Sequence, residues 1–151
     1  MSLLRNITLL LANYQHKVSR EEQQLRRLNR QIRQVTDELQ VLETERQGMK
    51  KFLREMLPQR EILSRALLFA LQRKQSVVRR RLANIALEEG QQQRRLVEYQ
   101  QQQAQALVRR KQLFRQTDKY QELQQTEKRK LRAVIARQEE SDTEEIITWR
   151  K

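Results

Sequence analysis

Cysteine is absent from the 151 residues, which excludes disulfide bonds and thiolate metal sites. One proline and two glycines leave almost no turn punctuation, so a fold rich in tight turns is excluded as well. Aromatic residues make up only 5%, too few to fill a broad globular core. No apolar run approaches the roughly 20 residues that a membrane span needs. The opening MSLLRNITLLLANYQ is apolar but short and has no small-x-small cleavage site. Its spacing continues into the next segment, so no signal peptide is expected. These absences predict a cytoplasmic protein with no membrane insertion.

What the chain does contain is charge, glutamine and leucine. Charged residues reach 34% and the net charge is +13, a composition of long helices whose buried surface is a seam. The charge is uneven: residues 139–151 hold five acids and two bases, so the rest of the chain is more basic still. Such a balance favours acidic partners of any kind.

Alternating steps of three and four trace one stripe along the first third. It runs Leu4, Ile7, Leu11, Tyr14, Val18, Glu21, Leu25, Leu28, Ile32, Val35, Leu39, Leu42, Arg46, Met49, Leu53, Met56. Only Glu21 and Arg46 interrupt it. A 3.5-residue repeat sustained this far keeps one face toward a partner helix, as in a coiled coil. Pro58 ends the pattern, because it lacks a backbone donor and disfavours helix at Leu57. A second stripe then runs from Ile62 through Leu67, Leu71, Val78, Leu82, Ile85, Leu96, Tyr99, Ala106, Leu113 and Tyr120. Gln75, Glu89, Gln92, Gln103 and Arg110 occupy seam positions there, and Gly90 weakens the helix locally.

The predicted fold is therefore all-α, an antiparallel two-helix coiled-coil hairpin with a longer second helix. Its parts are a first helix over about 3–57, a turn at 58–62, a second helix over about 63–138, and an acidic, flexible tail at 139–151. Folding back at the turn pairs Leu53 with Leu67, Met49 with Leu71, Leu42 with Val78, Tyr14 with Ala106 and Ile7 with Leu113. The second helix then runs on by roughly 20 residues, ~30 Å. Its apolar stripe of Tyr120, Leu123, Leu131 and Val134, broken at Glu127, lacks a cover and expects an external partner.

The stretch LQRKQSVVRRRL, residues 71–82, concentrates Arg73, Lys74, Arg79, Arg80 and Arg81 with no acid. With Leu71, Val78 and Leu82 in the seam, Arg73 and Arg80 fall on the back, Lys74 and Arg81 on one flank, and Arg79 on the other. These charges wrap the helix instead of lining one groove. Asp37, Glu38, Glu43 and Glu45 on the first helix are candidates to neutralise part of them. Val77 lies outside the seam among Arg73, Lys74, Arg80 and Arg81. It is either an ordinary exposed apolar residue or a small apolar contact ringed by cations.

The core of that stretch, Arg73-Lys74-Gln75-Ser76-Val77-Val78-Arg79-Arg80, resembles a signature in the stalk proteins of type III secretion. These form the InvI/SpaM branch of the wider family with YscO and flagellar FliJ. EESDTEEII, residues 139–147, resembles their acidic tail, and length, basicity and the early hairpin agree. The resemblance implies a hairpin similar to the central shaft subunit of rotary ATP synthases. It also implies a place in the pore of a hexameric secretion ATPase, a link to the export-gate protein, and binding of secretion chaperones.

On that resemblance the open end, with Leu3, Leu10, Phe114 and the stripe Tyr120, Leu123, Leu131 and Val134, is the candidate ATPase contact, with ordinary helix-end packing or dimerisation as the alternative. The turn end carries Phe52, Leu57, Leu68 and Phe69, a capping cluster or a gate contact. Phe69, Arg73, Lys74, Val77, Arg80 and Arg81 are the candidate export-gate or chaperone contact. His16 is the single histidine and has no metal-binding or nucleophilic companion. Two isolated glycines cannot build a phosphate loop, and the acids of 139–145 have no surrounding fold to position a catalytic pair. No catalysis, metal or cofactor is expected. Trp149 could anchor the tail on a partner. The alternative is a basic coiled coil that binds nucleic acid or the ribosome, for which charge alone speaks. The scattered basics and scarce aromatics argue against it. A parallel-dimer scaffold is opposed by Pro58 and the fold-back register.

Overall fold

The computed structural model describes residues 2–56 and 64–150, and two helices account for nearly all of them: α1, Ser2–Glu55, and α2, Arg65–Trp149. The predicted turn at 58–62, with Leu57, Pro58 and Ile62, lies outside the described residues. Long runs of Leu, Gln, Arg and Glu without a breaker favour this helical state throughout. Ser64 starts α2 as its N-cap: its hydroxyl accepts from the Leu67 amide at 3.3 Å, satisfying one of the amides that a helix start leaves unpaired.

The chain divides into two compact units. A terminal unit combines Met1–Leu25 with Gln105–Lys151, and a central unit spans Arg26–Ala104. Each is a pair of antiparallel helical segments. In the central unit Asn29 meets Gln103 at 2.5 Å while Glu45 meets Arg81 at 2.7 Å, so α2 descends as α1 ascends. Its core is a single seam of Leu28, Val35, Leu42, Val78 and Ile85. In the terminal unit Glu21 meets Arg109 and Thr8 meets Gln124, both at 3.1 Å. Ile7, Leu11, Leu25, Ala106 and Thr117 are buried there. Thr117 satisfies its hydroxyl by donating to the Leu113 carbonyl at 2.8 Å.

All sixteen positions of the first stripe are buried or half-buried, so periodicity located the seam of α1. The pairing across it differs from the expectation. Tyr14 stacks on Tyr120, with ring centroids 5.4 Å apart, instead of facing Ala106. That is two heptads further along α2. Met49 shares a groove with Val78 instead of meeting Leu71, one heptad away, and Leu67 is 58% exposed instead of covering Leu53. The physical reason lies in the interruptions. Sliding a coiled coil by whole heptads keeps apolar facing apolar, so apolar residues alone cannot choose among such registers. The expected pairing leaves Arg46 against Lys74 and Gln75, and Glu21 against Tyr99. In the observed one Arg46 reaches Glu89 at 3.3 Å and Glu21 reaches Arg109 at 3.1 Å. A half-buried charge without a partner is penalised strongly, so the pairing that matches charges wins.

Two boundaries move as well. α2 does not stop near Gln138 but continues through the acidic segment to Trp149. No glycine or proline follows Gly90, and Thr143 and Thr148 bond back to the carbonyls of Glu139 and Glu144. The uncovered part of α2 also begins later than expected. Tyr120, Gln124, Glu127 and Leu131 are half-buried, and only over residues 132–150 is every side chain exposed.

The register makes a contrast between two apolar residues of α2. Ile85, fully enclosed, should lose about 2–5 kcal/mol of unfolding free energy on substitution by alanine. Leu67→Ala should change it by no more than about 0.5 kcal/mol. Denaturant unfolding of both variants checks this, because the shorter register would require a core-sized loss at Leu67.

Candidate functional site

Residues Arg65–Arg81 open α2 with no acidic side chain, and none follows until Glu88. This leaves the start of the helix strongly positive. The seam takes Leu71, Gln75 and Val78, which turns Phe69, Arg73, Lys74, Val77 and Arg80 outward, all exposed. Phe69 lies 6.0 Å from the Arg65 guanidinium, a cation–π contact between successive turns. Leu68 and Phe52 are exposed too, at 41% and 49%, so they do not bury one another in a closed cap. Leu57 lies outside the described residues.

Arg81 separates from this group. Its Nε and Nη2 donate to the two carboxylate oxygens of Glu45 at 2.7 and 2.8 Å, and Nη1 donates to Glu88 at 3.2 Å. Two parallel bonds between a planar guanidinium and one carboxylate fix geometry as well as charge. The hydrogen bonds from Arg81 hold the Glu45 carboxyl below its ordinary range, opposed by partial burial and helped by the Arg81 charge. The carboxylates, Glu45 first, in turn raise Arg81 further above its already high value. Arg81 is thus a clasp between α1 and α2. Arg73, Lys74, Arg79 and Arg80 have no ion pair among the described residues. Of the four acids expected to neutralise the stretch, Glu45 does so, while Glu43 pairs with Arg46 of its own helix.

In the terminal unit the expected contact set divides. Tyr120 is half-buried in its stack with Tyr14, and Leu131 is half-buried on the same stripe. Leu3, Leu10, Leu123 and Val134 are exposed, and Phe114 carries Arg110 at 5.8 Å from its ring. Beyond Leu131 a stripe missed in the sequence emerges. Ile135 and Ile146, eleven residues apart on one face, lie near the line of Leu131 and Trp149, and Trp149 is 90% exposed. Its signal was present in the repeat spacing but was interrupted by Glu139, Asp142 and Glu145. Glu88 and Gly48 were also missed. Glu88 stands seven residues after Arg81, the interval at which one helix face recurs.

His16 is exposed, and no cluster of three or more metal-capable side chains occurs among the described residues. Among them, too, no helix is long and apolar enough to cross a membrane. What the geometry offers is surface: a cationic, partly apolar face in the central unit and an uncovered helical stripe in the terminal one.

A family model described as Salmonella surface presentation of antigen gene type M protein matches residues 5–147. No curated protein and no solved structure matches the chain.

The clasp has a pH signature. Because the Glu45 carboxyl is lowered in the folded chain, its contribution to stability is present above the ordinary carboxylate value and lost as pH falls through the lowered one. Glu45→Gln should therefore melt below the parent at pH 7, and the gap should narrow progressively on acidification below the ordinary carboxylate value. Thermal melts followed by circular dichroism across that range measure it.

Proposed function

The chain belongs to the family described as Salmonella surface presentation of antigen gene type M protein, associated with type III secretion, and from that membership we propose a stalk role. In this reading it is the central stalk subunit of the secretion ATPase complex. It links the hexameric ATPase to the export gate and supports protein export at the cytoplasmic face of the apparatus. The observation that carries the reading is the family match over nearly the whole chain, on a protein that consists of a two-helix hairpin.

Each unit supplies a surface of the kind such a role requires. The terminal unit presents Leu3, Leu10, Leu123 and Val134 together with the uncovered helix beyond Leu131, which suit the ATPase. Tyr120 and Leu131 support that surface from the seam. The central unit presents Phe69, Arg73, Lys74, Val77 and Arg80 for the export gate or for chaperones of exported proteins, and Arg81 holds the helices beneath them. The chain acts by binding and carries out no catalysis. The nucleic-acid alternative rests on net charge, and the clasp withdraws one of its five clustered bases.

Co-purification with the secretion ATPase of the same apparatus tests the stalk role. A complex and a rise in ATP turnover with added chain are expected, whereas no complex and unchanged turnover overturn it. Truncation after Leu131 keeps Tyr14 on Tyr120 and Thr8 on Gln124. It should still weaken ATPase binding by on the order of tenfold or more, the equivalent of ~1.4 kcal/mol.

The double variant Arg73→Glu, Arg80→Glu alters exposed positions only, so helicity should be unchanged while secretion falls. Circular dichroism and a secretion assay report the two separately. Normal secretion would make the back-face pair ordinary solvated surface.

A further inference from the structure

One flank of the central unit is not closed by its own side chains. Between α1 and α2 lie two grooves of about 660 and 650 Å³. The first is floored by Val41 and Leu42 and edged by Asp37 and Glu88. The second is floored by Met49, Val77 and Val78, with Phe52 at one side and Gly48 at the other. Val41 and Val77 are 65% and 69% exposed. Gly48 explains the second opening: a β-carbon built there meets nothing within 4 Å, so the missing side chain leaves space.

The two grooves follow one another along α1. Val41 and Gly48 are seven residues apart, ~10.5 Å along the helix, which is the interval between successive anchors on one face of an added helix. The Glu45–Arg81–Glu88 clasp runs between them, with Glu45 and Arg81 lining the second groove and Glu88 the first. Charge distinguishes the two ends. Around the second groove α2 has no acid from Ser64 to Leu87, and of the α1 acids on that side Glu45 is held by Arg81, leaving Glu55. Around the first, Arg30 and Arg33 are balanced by Asp37, Glu38 and Glu88.

We propose that this flank is a docking groove for an amphipathic helix of a partner protein. Two apolar side chains of that helix, one heptad apart, enter at Val41 and at Gly48, and its acidic flanks lie against the cations around Val77. The occupant is acidic because Arg73, Lys74 and Arg80, exposed and without an ion pair among the described residues, surround Val77, and helical because the two openings repeat at a helical interval. The inference deepens the gate or chaperone contact proposed above and rests on that reading for the choice of surface. It makes Val77 a floor residue of the contact, with the basic residues as its rim.

The test uses the full chain and a synthetic helical peptide with leucines at heptad spacing and glutamates at the flanking positions. A twin peptide carries lysine in place of each glutamate. Fluorescence anisotropy should show the acidic peptide binding at least about tenfold tighter than the twin, which is the equivalent of one well-placed anchor or a few charge contacts. Gly48→Phe fills the open space from a position where glycine itself disfavours the helix, so its melting temperature should not fall. It should weaken acidic-peptide binding by about tenfold or more. No binding of the acidic peptide, equal binding of the twin, or binding indifferent to Gly48→Phe overturns the proposal. Sedimentation equilibrium adds one outcome: a parent dimer that Gly48→Phe dissolves would assign the groove to a second copy and overturn a foreign helix. A chain that binds the ATPase but ignores the peptide loses this inference alone, and one that binds the peptide but not the ATPase loses the stalk reading alone.

Discussion

Everything outside the seam depends on which charges meet across it. α1 offers an almost uninterrupted apolar stripe, and such a stripe packs acceptably against α2 at any whole-heptad offset. Glu21 and Arg46 remove that degeneracy. Each is half-buried and each requires an opposite charge: Glu21 finds Arg109 in the terminal unit, and Arg46 finds Glu89 in the central one. Polar residues in a coiled-coil core are known to set register at some cost in stability. The cost is visible in the second carboxylate oxygens of Glu21 and Glu89, which are buried without a protein partner. Asn29 with Gln103 adds an uncharged contact between the helices at the exposed edge of the seam.

The register decides what the molecule shows to others. Because Met49 lies beside Val78, Leu71 is not needed to cover it, and the first turns of α2 from Ser64 to Ala70 have no cover among the described residues. Phe69 and Leu68 are exposed for that reason, and so is the start of the basic stretch. The same offset brings Glu45 to Arg81, and the bidentate clasp then removes one of five clustered bases from the surface. The basic stretch is therefore two things at once. Arg81 belongs to the internal structure, while Arg73, Lys74, Arg79 and Arg80 are exposed and have no ion pair among the described residues.

The two proposed surfaces differ in physical character. In the central unit the exposed apolar groups sit in grooves ringed by positive charge, which selects for a partner by sign as well as shape. In the terminal unit the uncovered residues run along a single helix face, with acids of 139–145 interleaved among Ile135, Ile146 and Trp149. The proposed stalk role fits this difference, since two identical surfaces would let either of two unlike partners occupy both.

The amino-acid sequence by itself determined the helices, the seam and the family. Periodicity is a local property of the chain, so the positions of the α1 stripe could be written down before any partner was known. The string from Arg73 to Arg80 needed no structure either, and neither did the contrast between a basic body and acidic residues near 139–145. Only the tertiary structure decided the register, because heptad-shifted pairings differ by contacts between residues some 40 to 90 positions apart, which no local pattern contains. With the register came the corrections: Tyr14 on Tyr120, Leu67 uncovered, and Leu131 in the seam. The continuation of α2 to Trp149 had a different cause, since the acidic composition suggested a tail while the absence of any breaker after Gly90 favoured helix. The open flank beside Gly48 could not be foreseen, because the absence of a side chain matters only once the opposite helix is known to leave the space unfilled.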